Sequence, residues 1–127
     1  MYEVTVEHTF AAGHALRGYK GKCENIHGHN YRLWVTIAGE DLDETGILMD
    51  FVEVRALIKS VVSRIDHRFL NDFPPFDQIN PSAENMAKFF YDEIEPAVRA
   101  KGLKILGTTI WETDTTSATY RPSSSGG

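Results

Sequence analysis

A thiol and two imidazoles lie close together in one short stretch of this sequence, "CENIHGHNY" at residues 23–31. Cys23 is the only cysteine of the chain, and His27 and His29 are two of its five histidines. A thiolate can act as a base or a nucleophile. Two neutral imidazoles at alternate positions of a strand project from one face and can bind the same ion. The stretch therefore predicts a metal site with a reactive thiol beside it.

His14 is the candidate for a third metal ligand. It closes the first predicted strand, in "FAAGH", and in an antiparallel pair the end of one strand lies near the start of the next. Three histidines leave a fourth position on the metal for water or substrate, which is the pattern of a catalytic site. Zn²⁺ is the expected ion, although copper, nickel and iron also accept imidazole. The alternative is a turn with two surface histidines, His27 and His29, and an ordinary strand-end residue at position 14.

The thiol and a later acid–histidine pair are candidates for proton transfer. Cys23 lies in a polar loop with Lys20 and Lys22, and neighbouring cations lower the pKa of a thiol from about 8.5 toward neutrality. In "IDHRFLND", Asp66 precedes His67, and a carboxylate can orient an imidazole and stabilise its protonated form. The pair would then accept or stabilise the proton that the thiolate removes. The alternatives are a small buried apolar residue at Cys23 and an ordinary polar helix end at the pair.

Glu112, in "TIWETD", is a candidate for ligand binding. Strand alternation places it on the face of Leu106 and Ile110 rather than on the face of Thr109 and Trp111. A carboxylate on an apolar face needs a partner. A planar ligand with adjacent N–H donors, such as the amino-amide edge of a pterin or a guanine, would be one. The alternative is an exposed acid at the end of a strand.

Hydrophobic alternation predicts the strands that carry these residues. Residues 2–10, "YEVTVEHTF", alternate between an apolar and a polar face, and His8 on the apolar face is expected to be a core or supporting residue. A second strand is expected from about residue 30 to residue 38. The chain closes with a strand pair formed by "LKILGTTIWET" and "SATYRP".

Two helices are predicted between the strand pairs. Asp50, followed three residues later by Glu53, indicates a helix start with a capping box. Apolar residues then recur at helical spacing, at Phe51, Val54, Ile58, Val61 and Ile65. A second helix is expected to begin near Pro81 or Ser82, and Pro96 is expected to kink it or to lie in its last turns.

The element order is therefore β-β-α-α-β-β, which indicates an α+β fold. We expect a four-stranded antiparallel sheet with two helices on one face. It would form a single domain over residues 1–122, followed by a flexible tail at residues 123–127. Such a sheet has two open edges, and oligomerisation commonly closes edges of this kind. The sequence thus predicts a symmetric assembly.

Composition argues against several classes of protein. A net charge of −5 disfavours non-specific nucleic-acid binding, which needs clustered lysine and arginine. No apolar run approaches the roughly 20 residues that cross a bilayer. The N-terminal "MYEVTVEHTF" lacks the basic start and the apolar core of a signal peptide. One cysteine forms no internal disulfide, which fits a reducing compartment, and we expect a cytoplasmic protein.

Six segments of the chain, in their order, resemble the 6-pyruvoyltetrahydropterin synthase family. They are "FAAGH", "CENIHGHNY", "GILMDFVEVR", "DHRFLND", "NPSAENMAKF" and "WET". The resemblance covers nearly the whole chain and implies the tunnelling fold, in which trimers form an antiparallel barrel with the helices outside. It also implies that two trimers stack into a homohexamer, with active sites at the subunit interfaces.

The resemblance implies roles for individual positions of this sequence. The matching positions are His14, His27 and His29 for the zinc ligands, Cys23, Asp66 and His67 for the catalytic set, and Glu112 for the acid that anchors the pterin ring. Ser82 and Ala83 occupy the place where many relatives have threonines that contact the pterin, so backbone contacts are their expected role. Gly13 stands where relatives often have alanine.

The spacing around the thiol distinguishes subgroups of the family. Cys23, followed by three residues and then His-Gly-His, resembles the bacterial 6-carboxytetrahydropterin synthases of queuosine biosynthesis. A longer gap is typical of the animal pyruvoyl enzymes. The resemblance implies a zinc-dependent lyase that converts 7,8-dihydroneopterin triphosphate to 6-carboxytetrahydropterin, with loss of acetaldehyde and triphosphate. Arg17, Lys20, Lys22 and Arg68 are either ligands of the triphosphate or solvated loop charges.

Other functions also fit parts of the pattern. The same fold and metal would also serve a pyruvoyl synthase or an aldolase-like cleavage of dihydroneopterin. A non-catalytic module that binds zinc, a pterin or a purine would keep the fold, but it would not need Cys23 or the Asp66–His67 pair. A generic zinc hydrolase would place an acidic base beside the metal, where Glu24 is the near candidate.

Overall fold

One antiparallel sheet carries the candidate site at one of its ends. The computed structural model describes residues 1–14 and 27–123, with the side chains of these residues except 14 and 27–29. Within these ranges the strands are β1 (Tyr2–His14), β2 (His27–Gly39), β3 (Lys104–Trp111) and β4 (Ser117–Tyr120), in the spatial order β1-β2-β3-β4. Between β2 and β3 the chain forms α1 (Phe51–Val62), a short 3-10 helix (Leu70–Asp72) and α2 (Ala83–Arg99). The predicted β-β-α-α-β-β order is confirmed.

β1 and β2 form the longest ladder of the sheet. Their register runs from Tyr2 opposite Gly39 to His14 opposite His27. β1 ends at His14, as predicted, and its pairing continues through "AAGH", where small residues give no hydrophobic alternation. β2 begins at His27, three residues before the predicted start. The extension brings the candidate histidines at the strand ends into the sheet.

The core lies between the sheet and the two helices. Alternate residues of β1 and β2 are buried there, among them Val6, Phe10, Tyr31, Leu33, Val35 and Ile37. The rings of Phe10 and Tyr31 stack at 5.2 Å across the two strands, and Phe90 of α2 packs on Phe10 at 5.5 Å. Full burial of a side chain such as phenylalanine contributes about 1.5–3 kcal/mol. This packing fixes β1 and β2 next to the strand ends that carry the histidines.

Polar caps begin both helices: the cap of α1 was predicted at Asp50, and α2 starts after Ser82, one of its two predicted start positions. The Asp50 carboxylate accepts from the Val52 N–H at 2.8 Å, and the Ser82 hydroxyl accepts from the Asn85 N–H at 3.1 Å. Pro96 lies in the last turn of α2, which is one of the two predicted placements. In the described ranges, neither helix combines the length and the apolar character that a bilayer crossing requires.

The apolar pattern of α1 begins before the buried part of the helix. Phe51 is 54% exposed, because it is the first helical residue and the buried part of the helix begins with Val54. Ile65 is fully buried although it lies beyond the last helical residue. The apolar pattern therefore overstates the burial of the first turn, and it continues into the loop after α1.

A bulge in β3 changes which residues share a face. The register shifts between Thr36 and Ile37 of β2, so that Leu106 is an extra residue in β3. Leu106 lines the outer surface of the sheet, away from the helices, and the prediction that it shares a face with Glu112 is wrong. Ile110 is fully buried on the helix side, as predicted. The predicted alternation of faces therefore holds at Ile110, after the bulge, and fails at Leu106.

Candidate active site

The ends of β1 and β2 bring the backbones of the three candidate metal ligands together. His14 lies directly opposite His27, and His29 lies opposite Ala12. Opposite residues of an antiparallel ladder share a face, and so do alternate residues of one strand. The expected proximity of the two strand ends is therefore confirmed, and metal binding by these residues stays a prediction.

The predicted thiol lies outside the described residues, in the segment 15–26. His14, which directly precedes this segment, lies opposite His27, which directly follows it. The roles predicted for this segment stay predictions. The residues concerned are Cys23, Arg17, Lys20, Lys22 and Glu24.

The segment 66–69 lies along the outer edge of β1. The Ala11 carbonyl accepts from the His67 N–H at 2.6 Å, and the Gly13 N–H donates to the Arg68 carbonyl at 3.0 Å. Gly13 also forms an isolated parallel bridge with residue 69. These contacts hold the predicted acid–histidine pair beside the last residues of β1, close to the rung that carries two of the candidate ligands.

His67 has a backbone conformation that is uncommon outside glycine. Its φ is +60°, in the left-handed region, which costs about 1–3 kcal/mol. Ile65 and Leu70, both fully buried, anchor the segment on either side. The His67 side chain is 80% exposed, and its Nε2 lies 3.6 Å from Oδ2 of Asp66, which is 33% exposed. The pair therefore makes an ionic contact whenever the imidazole is protonated, with the ring open to water.

Glu112 directly follows the last residue of β3, and its N–H donates to the Thr116 carbonyl at 3.2 Å. Its side chain is half-buried. Trp111 lies opposite Arg32, and continuing this register by one residue sets Glu112 opposite Tyr31 of β2. Burial, and secondly the negative charge of Glu112, raise the pKa of the Tyr31 hydroxyl. Tyr31 follows His29 by two residues in β2. Glu112 thus lies near the same end of the sheet as the candidate metal ligands.

Ser82 and Ala83 lie at the start of α2, and both are half-buried. The Ser82 hydroxyl oxygen is used to cap the helix, while its O–H proton is still able to donate to a ligand. The Asn85 side chain donates to the Asn80 carbonyl at 2.8 Å, which ties the first turn of α2 to the chain before it. Contact of Ser82 and Ala83 with a pterin stays a prediction.

His8 lies on the helix side of β1 and is half-buried, as expected for a core or supporting residue. Burial lowers the pKa of its imidazole, and the positive charges of Lys59 and Arg55 lower it further. Asp66 opposes this effect and raises the pKa. The acid that contacts His67 therefore also acts electrostatically on His8.

Two features of the site did not emerge from the sequence. Asp66 Oδ1 accepts from the backbone N–H of Ala11 at 3.0 Å, across 55 positions of the chain. Tyr31 lies close enough to Glu112 for its hydroxyl to sense the charge of that acid. The second feature had a signal in the sequence, since Tyr31 follows His29 at the same alternation. The bond between Asp66 and Ala11 had no signal in the sequence, because the sequence does not show which loop lies along an open strand edge.

The opposite face of the sheet carries a different cluster, of which Glu7, Trp34 and Trp111 line a shallow cavity of about 830 Å³. Glu7 accepts from Trp34 Nε1 at 2.7 Å and pairs with Arg32 at 3.2 Å. The Arg32 guanidinium lies over the Trp111 ring, 4.9 Å from its centre. The hydrogen bond from Trp34, and after it Arg32, hold the pKa of Glu7 below its ordinary value. The described lining residues of this cavity include none of the predicted site residues.

Comparison with known proteins gives matches over nearly the whole chain. The profile of the family described as 6-pyruvoyl tetrahydropterin synthase matches residues 3–123. The 6-carboxy-5,6,7,8-tetrahydropterin synthase of Aquifex aeolicus is 30% identical, over 94% of this chain and 98% of that protein. The 6-pyruvoyl tetrahydrobiopterin synthase of Dictyostelium discoideum is 37% identical, over 62% of this chain and 60% of that protein.

A solved structure shows the same fold. The 6-pyruvoyl tetrahydropterin synthase of Caenorhabditis elegans superposes with a TM-score of 0.81 at 28% identity, covering 97% of this chain and 98% of that chain. The fold predicted from the sequence is therefore confirmed for the single chain. Its closure into an oligomeric barrel stays a prediction.

Proposed function

The chain belongs to the 6-pyruvoyl tetrahydropterin synthase family, and we propose that it is a 6-carboxy-5,6,7,8-tetrahydropterin synthase acting on 7,8-dihydroneopterin triphosphate. The observation that carries the proposal is the strand register, which sets His14 opposite His27 beside the docked Asp66–His67 pair. The similarity to the Aquifex protein supports this product, and so does the spacing from Cys23 to His27.

The proposed reaction balances without an external oxidant or reductant. The substrate and one water give 6-carboxytetrahydropterin, acetaldehyde and triphosphate. The dihydropterin ring gains two hydrogen atoms, and the side chain is oxidised by the same amount. Triphosphate leaves from the third side-chain carbon, and the bond between the first and second carbons breaks. Water supplies one carboxylate oxygen, and the outer two carbons leave as acetaldehyde.

The strand ends fit a zinc ion. His14, His27 and His29 would supply three imidazole nitrogens, a donor set found in catalytic zinc sites, and the register places their backbones within two rungs of one ladder. When bound there, zinc would supply Lewis-acid polarisation of the hydroxyls on the substrate side chain. Side chains of the protein itself bind the pterin ring and transfer the protons.

Glu112 binds the pterin ring in this proposal. Its two carboxylate oxygens accept from adjacent N–H groups of the amino-amide edge, and a hydrogen bond to a charged group contributes about 1.5–3 kcal/mol. The half-buried position of Glu112 supports this role, because a partly desolvated acid gains most from a matching donor. The Tyr31 hydroxyl, with its raised pKa, stays neutral and adds no second negative charge beside the acid.

Cys23 and His67 move the protons. The Cys23 thiolate removes a proton from the substrate side chain, and His67 accepts it and returns it to the product. Asp66 Oδ2, 3.6 Å from Nε2, stabilises the protonated ring, and the exposure of the ring allows exchange with water. General acid–base catalysis of this kind contributes about 10²–10⁴-fold in rate.

The assembly and the setting are part of the proposal. Within the described residues, the first part of β1 and the whole of β4 have no neighbouring strand on their outer sides. Pairing of β4 with β1 of a second copy would close three chains into a barrel, and two stacked trimers would form a homohexamer with active sites at the interfaces. Arg68, exposed beside the site, is a candidate ligand of the triphosphate. We place this lyase in queuosine biosynthesis in the cytoplasm.

The test is incubation of the zinc-loaded protein with dihydroneopterin triphosphate, with all products identified by mass spectrometry. We expect 6-carboxytetrahydropterin and acetaldehyde in equal amounts. The metal-free protein and the Asp66→Ala variant are the controls, and both should be slow. No turnover after verified zinc loading would contradict an enzymatic role and favour a binding module.

A 6-pyruvoyl tetrahydropterin synthase is the second candidate. The Dictyostelium relative and the Caenorhabditis structure, both named for that product, favour it. The same experiment separates the two candidates, because the pyruvoyl product keeps all three side-chain carbons. Triphosphate release without acetaldehyde would identify the second candidate.

A further inference from the structure

Arg32 of β2 connects three parts of the outer face of the sheet. Its Nη1 pairs with Glu7 of β1 at 3.2 Å, and its Nη2 lies 3.9 Å from the carboxylate of Asp114, in the turn between β3 and β4. The guanidinium lies 4.9 Å from the centre of the ring of Trp111, the last residue of β3. A guanidinium suits such a place, because it has donors in a fixed fork and a face that stacks on aromatic rings. Arg32 therefore joins β1 to the end of β3 and to the turn after it.

Glu112 lies between two residues that Arg32 contacts. Trp111 directly precedes it, and Asp114 follows it by two positions. β3 ends at Trp111, and beyond this point the Glu112 N–H donates to the Thr116 carbonyl at 3.2 Å, which is long for a backbone hydrogen bond. Arg32 lies on the outer face of the sheet, whereas alternation sets the Glu112 side chain on the helix side. Arg32 can therefore act on Glu112 through the chain on either side of it.

Ring contacts hold the Trp111 side chain in place. Its Nε1 is buried, and the part of the chain that the structure describes offers it no hydrogen-bond acceptor. The indole packs against the Trp34 ring at 5.2 Å and against Arg32. Trp34 differs, because its own Nε1 donates to Glu7 at 2.7 Å. The position of the Trp111 ring, and with it the end of β3, therefore depends on Arg32.

We propose that Arg32 is a positioning residue, which sets the place of the Glu112 carboxylate through Trp111 and the turn between β3 and β4. The role rests on the proposed function, in which Glu112 binds the pterin ring. Two parallel hydrogen bonds to adjacent N–H groups tolerate little displacement, because each weakens steeply as its angle departs from linearity. The ground state and the transition state share this binding, so a displaced acid should raise KM and leave kcat nearly unchanged.

Arg32→Met and Arg32→Lys separate the charge from the rest of the side chain. Methionine keeps an unbranched apolar stem but has no charge to place over the Trp111 ring. Lysine keeps a charge that can lie over the ring. Arg32 is 32% exposed, so neither variant leaves a cavity in the core. Arg99→Met is the matched control, because Arg99 pairs with Glu95 at 3.6 Å within the last turns of α2.

Two measurements without substrate test these contacts in the full-length protein. Trp34 and Trp111 are the only tryptophans of the chain, so the exciton coupling of their indoles in circular dichroism reports the geometry of this pair. We expect Arg32→Met to change this signal, and we expect Arg32→Lys and Arg99→Met to preserve it. The hydrogen-exchange rate of the Glu112 amide should rise about tenfold in Arg32→Met, as loss of one cation–π contact would cause, and stay within about threefold in the other two variants.

Kinetics with dihydroneopterin triphosphate test the role in binding. Arg32→Met should raise KM about tenfold with kcat within about twofold of wild type, and Arg32→Lys should keep KM within about threefold. In a Glu112→Gln background, Arg32→Met should raise KM by less than about twofold, because residues that act through one contact are not additive. A purely structural role for Arg32 would affect both backgrounds equally.

Three results would overturn the proposal. One is a Glu112 exchange rate in Arg32→Met equal to that of wild type. The second is a KM in Arg32→Lys as high as in Arg32→Met, and the third is an equal rise of KM in the wild-type and Glu112→Gln backgrounds. The circular dichroism and exchange measurements use no substrate. If they give the expected pattern in a protein that does not turn over dihydroneopterin triphosphate, Arg32 positions Glu112 and the proposed function fails.

Discussion

The outer edge of β1 is built differently in its two parts. From Ala11 to Gly13, the segment 66–69 covers it with hydrogen bonds of 2.6–3.0 Å. From Tyr2 to Phe10, no strand of the described chain pairs with it. The covered part adjoins the candidate active site, while in the open part the outward backbone groups have no strand partner among the described residues.

This difference separates two tasks within a single strand. A covered edge has its hydrogen bonds satisfied inside the chain, so nearby side chains can be held in fixed positions. An open edge leaves donors and acceptors for pairing between chains. Substitutions in the open part should therefore act on assembly, and substitutions near the covered part should act on chemistry or on the fold.

Thr5→Pro breaks the open part and should have the largest effect. The N–H of Thr5 faces the open edge, since it has the same parity as Ala11 and Gly13, whose N–H groups face the segment 66–69. Proline removes this donor in a position that an edge strand tolerates. We expect light scattering to show smaller species and activity to fall below detection. Thr5→Val, which keeps the N–H, is the control, and an intact hexamer of Thr5→Pro would argue against this edge as the interface.

Cys23→Ala tests the chemistry at the covered part. Loss of a general base should lower turnover about 10²–10⁴-fold. Zinc content should stay at the wild-type value, because the thiol is not among the proposed ligands. Metal analysis and steady-state kinetics on one preparation check both statements. Normal turnover of the variant would show that the thiol has another role.

Phe10→Ala tests the boundary between the two parts. Phe10 is buried, stacks on Tyr31 and packs against Phe90, so its removal should lower the free energy of unfolding by about 3–5 kcal/mol. Val52→Ala, at a side chain that is 75% exposed, should change it by less than about 0.5 kcal/mol. Urea unfolding measures both. Equal losses would contradict the packing described for the core.

Glu112→Gln tests ligand binding near the covered part. The amide keeps the shape of the acid but donates where the carboxylate accepts, so it loses about 1.5–3 kcal/mol of binding to the pterin edge. We expect KM to rise about tenfold or more. Glu95→Gln, in α2, is a control at another half-buried glutamate. An unchanged KM in Glu112→Gln would remove this residue from the binding site.

Glu7→Gln tests the open part and should have the smallest effect. Because Trp34 and Arg32 hold the pKa of Glu7 below its ordinary value of 4.5, its contribution is present above about pH 4.5 and is lost as the pH falls through the folded-state pKa. The side chain is 45% exposed, so this contribution should stay under about 1 kcal/mol. Urea unfolding between pH 7 and pH 3.5 measures it. An identical pH dependence in the variant and in wild type would contradict the assignment.

Local patterns in the sequence predicted the elements but not all of the faces. Asp50 was predicted as a helix start because capping involves residues two or three positions apart, and the start of α2 near Ser82 was predicted because its apolar residues recur at helical spacing. The bulge at Leu106 was not predicted, since an extra residue in one strand is defined only against the strand it pairs with. The start of β2 at His27, before the predicted residue 30, was missed for the same reason.

The candidate site was predictable in its residue types and less so in its connections. Histidines at alternate positions and an adjacent acid–histidine pair are local signals. The bond from Asp66 to Ala11 joins residues 55 positions apart, and only the folded chain brings them together. The left-handed backbone of His67 was not predictable either, because this conformation is usually signalled by a glycine and position 67 is a histidine.

Anomalous diffraction at the zinc edge, from crystals of the zinc-reconstituted protein, tests most directly whether the end of β1 and β2 is a metal-dependent active site. We predict one peak per chain, about 2.0–2.1 Å from imidazole nitrogens of His14, His27 and His29. An empty strand end after reconstitution, or a peak bound by other residues, would contradict this site.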